Sequence, residues 1–105
     1  MRNLKELDKL EQYLKSKNIN YERIDKEDKP LDDEHQYAFV EFEQHQIIVF
    51  ENGERKWDAI CHRGSYGAEE GLLEIYGSIV PLTASDTVEG WLTADDIIRR
   101  VESEG

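Results

Sequence analysis

A chain of 105 residues with 24 acidic and 13 basic side chains carries a formal net charge of −11 at neutral pH. That sign argues against direct contact with nucleic acid, whose phosphates call for cations. The length suits one domain, 1–105, and 38% hydrophobic residues are enough for one core. The single cysteine excludes an internal disulfide, no apolar run approaches the roughly 18–20 residues of a membrane-spanning helix, and the charged N-terminus has no signal core, so a cytoplasmic setting is expected.

Leu4, Leu7, Leu10 and Leu14 recur at helical spacing between Lys and Glu, which predicts a helix over 3–17 with one buried stripe. This segment is mildly basic: residues 1–18 carry a net +2, leaving −13 for the rest. Asn18 is a natural stop, and 19–24 alternates as a short strand at a sheet edge would. Residues 25–34 hold six carboxylates and Pro30 without periodicity, which predicts an exposed loop.

Three β-type runs follow, at 36–42, 46–51 and 55–61. Asn52–Gly53 between the last two is the preferred pair for a type I′ hairpin, whose central residues both need positive φ. An antiparallel meander is expected. Gly64–Gly67 reads as a loop, and Ala68, Leu72, Leu73, Ile75 and Tyr76 sit near helical spacing, so 68–76 is expected to be a helix ended by Gly77. Gly71 within it needs a packing or functional reason. Residues 86–92 are ambiguous. Thr93-Ala-Asp-Asp96 resembles a capping box that opens a final helix bearing Ile97, Ile98 and Val101. The expected fold class is α+β: an N-terminal helix, a three- to four-stranded antiparallel meander and two C-terminal helices.

Several groupings invite a chemical reading. Cys61 and His62 are adjacent, but neighbours in a strand point to opposite faces, so a thiol–imidazole pair is not expected and Trp57, Ala59 and Cys61 should line a buried face. His35, His45 and His62 show none of the spacings of a metal site. Asp58 and His62 can share a strand face, yet four residues along a strand is too far for contact. Arg63-Gly-Ser-Tyr-Gly67 places a cation, a hydroxyl and glycines before the expected helix, an arrangement that suits an anion or simply a tight turn. Asp32–Asp33, Glu69–Glu70 and Asp95–Asp96 are paired carboxylates, and the last two pairs suit helix starts. Trp91 and Tyr66 are aromatic residues amid charge, suited either to a core or to a protein contact. No catalytic residue, metal or cofactor is expected.

Helix, three strands, helix is an order similar to that of double-stranded-RNA-binding domains, but those need a basic face. The strings Trp57-Asp-Ala-Ile-Cys-His-Arg-Gly-Ser-Tyr-Gly67, Gly71-Leu-Leu-Glu-Ile-Tyr-Gly77 and Gly90-Trp-Leu-Thr-Ala-Asp-Asp-Ile97 resemble small uncharacterised phage- and prophage-encoded proteins of Gram-positive bacteria. The resemblance implies a mobile-element setting, where small acidic proteins often inhibit host nucleic-acid enzymes, CRISPR nucleases among them. The leading expectation is a non-enzymatic inhibitor or regulator whose acidic surface meets a basic, nucleic-acid-binding protein, with Asp25, Glu27, Asp28, Asp32, Asp33, Glu34 and Trp91 as contact residues. The alternatives are a small-ligand or catalytic domain using His62, Arg63, Ser65 and Tyr66, and a homo-oligomer joined through Trp91 or the 19–24 edge.

Overall fold

The leucine stripe forms α1, Lys5–Ser16, with Leu7, Leu10 and Leu14 buried. Asn18 follows with φ 56° and turns the chain into β1, Tyr21–Lys26. The chain continues through β2 (Lys29–Pro30), β3 (Phe39–Glu41), β4 (Gln44–Glu51), β5 (Glu54–Ile60), β6 (Leu73–Gly77), β7 (Val88–Leu92) and α2 (Ala94–Glu104). These elements belong to a computed structural model that describes residues 2–27, 29–30, 39–41, 43–80 and 88–104.

The main sheet has the order β1-β4-β5-β6-β7 with every neighbouring pair antiparallel. The Asn52–Gly53 hairpin joins β4 to β5 with φ of 54° and 81°, as a type I′ turn requires. Alternation decides which face is buried. Ile47 and Val49 of β4, Trp57 and Ala59 of β5, Cys61 beyond it, Leu73 and Ile75 of β6 and Leu92 of β7 all face one way. Leu7, Leu10 and Leu14 of α1 and Ile97 of α2 join them in a single cluster. Each fully buried Leu or Ile contributes roughly 1.5–3 kcal/mol, so this one layer of contacts dominates stability.

The architecture corrects the sequence reading in three places. Among the described residues the main sheet has five strands rather than three or four, and one α-helix, not two, lies at the C-terminal end. The stretch 68–76 is a single 3₁₀ turn, Ala68–Glu70, followed by β6. Gly71 is left-handed at φ 77°, which stops helical winding, and a Cβ there would lie 2.7 Å from Asn3 Nδ2. Beyond Gly71, Leu73 and Ile75 point inward while Tyr76 is exposed, and this period-2 pattern prevails because β5 and β7 each offer a hydrogen-bonding edge. Third, β3, from the 36–42 run, pairs with β2 in a separate two-stranded sheet. The edge of β4 is taken by β1 instead, in register from Tyr21↔Val49 to Lys26↔Gln44.

The expected acidic loop 25–34 is therefore partly strand: Asp25 and Lys26 end β1, and 29–30 form β2. Asp28, Asp32, Asp33 and Glu34 lie outside the described residues, as does His35. The final helix starts as expected. Asp96 N–H donates to Thr93 Oγ1 (3.2 Å) and Thr93 N–H donates to Asp96 Oδ2 (3.0 Å), a reciprocal box with Asp in the place usually held by Glu. Glu6 of α1 accepts the Ala94 N–H at 2.8 Å, so one helix helps to cap the other and fixes where β7 leaves the sheet.

Candidate functional site: a cleft beside the last strand

The turn after β5 is built by its own hydroxyl. Ser65 Oγ donates to the His62 carbonyl (2.7 Å) and accepts the His62 N–H (3.0 Å), while Ser65 N–H donates to His62 O at 2.9 Å. Glu74 Oε1 accepts the Tyr66 N–H at 3.2 Å. On the facing side, β7 carries a bulge: Leu73 pairs with Leu92 but Ile75 pairs with Glu89, so β7 spends one extra residue. Trp91, within that bulge, has φ 61°, a left-handed conformation that is a true outlier for a bulky residue. Its N–H donates to Tyr66 O at 3.3 Å. Gly90 permits the approach, since a Cβ there would stand 2.2 Å from Tyr66 Cβ.

Between turn and bulge lies a cleft of about 260 Å³ lined by Arg2, Arg63–Glu70 and Trp91. Trp91 is 59% exposed and Tyr66 53% exposed; neither ring belongs to the core. Ser65 is occupied by its turn, so it has no activating base among the described residues. Arg2 is ion-paired with Glu43. That pairing raises the Arg2 guanidinium and, with the Arg63 backbone N–H as a further donor, lowers the Glu43 carboxyl against the opposing effect of burial. Cys61, in the core behind, is pushed up by burial, which keeps it a thiol rather than a nucleophilic thiolate.

His62 parts company with its sequence neighbours. It lines a shallow concavity of about 420 Å³ on the opposite sheet face, with Gln44, Gln46, Asp58, Ile60, Glu74 and Tyr76. Asp58 there accepts from Gln46 Nε2 and Arg55 Nη2, each at 2.8 Å. His62 Nδ1 accepts the His45 backbone N–H at 3.3 Å, and burial pushes its imidazole below the ordinary range. Of the four residues grouped for ligand binding, Arg63, Ser65 and Tyr66 share the cleft and His62 does not.

The expected partner-contact set is also divided. Asp25 ends β1 and Trp91 sits on β7, the two opposite edges of the sheet, about four strand spacings or ~19 Å apart. Asp25 is engaged by Arg23 (2.9 Å) and by His45 Nδ1 (2.9 Å); Glu27 is 77% exposed in its side chain, with its carboxylate 3.7 Å from His45 Nε2. His45 itself is 1% exposed, and its Nε2, 3.4 Å from Glu43, has no hydrogen-bond partner. Sequence reasoning missed Arg2, Glu43 and Glu74, which meet the turn only through tertiary contacts. The place of His45 in alternation with Ile47 and Val49 would have put it on the buried face.

Among the described residues, no group of three His, Cys, Asp or Glu side chains is arranged to hold a metal ion, and no helix is long and apolar enough to cross a membrane. No known protein family, curated protein or solved structure matches this chain.

Proposed function

We propose that this chain is a non-enzymatic interaction protein, an inhibitor or regulator of the phage type, whose acidic surface binds a basic, nucleic-acid-binding protein with its carboxylates standing in for phosphates. The observation that supports this reading is where its few cations go. Arg2 pairs with Glu43, Lys9 with Asp95, Arg23 with Asp8, Glu11 and Asp25, Arg55 with Asp58, Lys56 with Glu51, Arg99 with Asp96 and Arg100 with Glu89. These pairs engage seven of the thirteen cations within the chain, and the surplus of −11 is presented to whatever meets it. Such a surface steers a basic partner and repels nucleic acid.

The test is capture of the tagged protein's partners from a host-cell lysate at low and high salt. A basic nucleic-acid-binding protein retained at low salt, lost at high salt and displaced by DNA or RNA is the expected result, because exposed charges are screened over ~10 Å at 0.1 M salt. Binding indifferent to salt would remove the mimicry reading.

A second reading, small-ligand binding at the Arg63–Gly67 turn, is favoured by the cleft itself. A thermal shift induced by a small anion and abolished by Arg63→Ala would put this reading in place of the first.

A further inference from the structure

We propose that the cleft beside β7 receives an arginine side chain from the basic partner, an assignment that rests on the interaction reading above. Its size is the first argument. About 260 Å³ is below the ~300–1,000 Å³ usual for small-molecule sites and fits one long side chain. Its chemistry is the second. Trp91 and Tyr66 present exposed rings at the cleft, and indole is the best of the side-chain faces for a cation. Glu69 and Glu70 line the same cleft, both exposed, and neither forms a salt bridge among the described residues. A planar guanidinium can stack on an aromatic ring while its edge donates to a carboxylate, which a compact ammonium does less well.

Of the two cations that line the cleft, Arg2 has its guanidinium committed to Glu43, so its charge is already balanced within the fold. The exposed indole is not an accident of a loose loop. Trp91 is held at φ 61° by its hydrogen bond to Tyr66 and by the tight Gly90 contact. Left-handed backbone at a residue with a Cβ costs ~1–2 kcal/mol, and strain of this kind clusters at working surfaces.

The two tryptophans supply the readout, since Trp57 is buried and Trp91 is not. The ¹⁵N-labelled protein is titrated with acetyl-tetraarginine amide, with tetralysine, tetraglutamate and inorganic phosphate as further probes. The expected result is a saturable shift of the Trp91 indole N–H with Trp57 unmoved, and weaker binding of tetralysine. Trp91→Ala should weaken the arginine peptide ~5-fold or more. The double variant Glu69→Gln, Glu70→Gln, which leaves the bulge intact, should weaken it ~3-fold. A Trp91 signal that ignores the arginine peptide, or follows phosphate or tetraglutamate instead, overturns the assignment. Salt-sensitive capture of a basic protein that survives both variants overturns it while leaving the interaction reading in place. Peptide binding at Trp91 with no salt-sensitive partner in the lysate would instead overturn the interaction reading.

Discussion

The two edges of the sheet solve the same problem in opposite ways. An edge strand exposes unpaired backbone groups and must be protected from pairing with other chains. β1 is protected by charge that is turned inward: Arg23 reaches Asp8 and Glu11 of α1 and Asp25 of its own strand, and Asp25 in turn meets the buried His45. β7 is protected by geometry, a bulge and a left-handed tryptophan. The first edge spends its polar groups on the fold, whereas the second keeps aromatic surface and a cleft available to another molecule. The comparison teaches that an edge whose charged side chains are paired within the fold, as Arg23 and Asp25 are, offers less to another molecule than an edge that keeps its aromatic surface exposed.

The largest effect expected from breaking this comparison is at the β7 edge. Gly90→Ala drives a Cβ into Tyr66 Cβ and should cost ~1–3 kcal/mol by overpacking, read as a fall in thermal midpoint together with a displaced Trp91 indole signal. An unchanged midpoint would mean that bulge and turn do not approach as described. At the other edge, Arg23→Met should cost ~1–2 kcal/mol by leaving the Asp8, Glu11 and Asp25 carboxylates without their shared cation, while the Trp91 signal stays put. If Trp91 moves as well, the edges are coupled and the contrast fails. Thr93→Ala, at the exit from β7, should cost ~1 kcal/mol as a lost cap, measurable by urea unfolding with an unchanged slope; no loss would show that Glu6 suffices to cap α2.

The smallest effects are pH-linked and belong to the region around β1 and β4. His62 is held below its ordinary value by burial, so its contribution is complete above the ordinary imidazole range and is lost as pH falls from that range through the depressed folded-state value. Asp25 follows at lower pH. Partial burial acts to raise its carboxyl, but the His45 hydrogen bond and Arg23 outweigh it and leave it lowered, so its stabilisation is present above the ordinary carboxylate range and fades as acid protonates it. Stability should therefore decline in two stages on acidification. His62→Gln should flatten the first stage alone in a series of unfolding curves, and a first stage that persists in this variant would assign it elsewhere.

Much of this fold is legible in the sequence because its signals are local. The leucine stripe of α1, the Asn52–Gly53 hairpin and the Thr93 box each rest on side chains within one or two turns of one another. β6 was not legible: Leu72, Leu73, Ile75 and Tyr76 satisfy a helical period as well as an alternating one, and the choice is made by strand partners 12 to 20 residues away. The candidate cleft was half legible. Arg63, Ser65 and Tyr66 stand together in the chain, but the wall they face is built from the β7 bulge, and Arg2 arrives from the far N-terminus. His62 shows the limit most plainly, since one step along an extended backbone carries a side chain to the other face of the sheet.

The bond from Ala94 N–H to Glu6 also bears on the order in which the chain can be finished. Glu6 precedes Ala94 by 88 residues, so its acceptor role waits for a much later part of the sequence. During synthesis Leu7, Leu10 and Leu14 have no complete surface to bury against until β4–β6 and then α2 have emerged. Such long-range closure slows folding and leaves apolar surface exposed meanwhile, an interval in which the like charges of an acidic chain oppose its association with other copies.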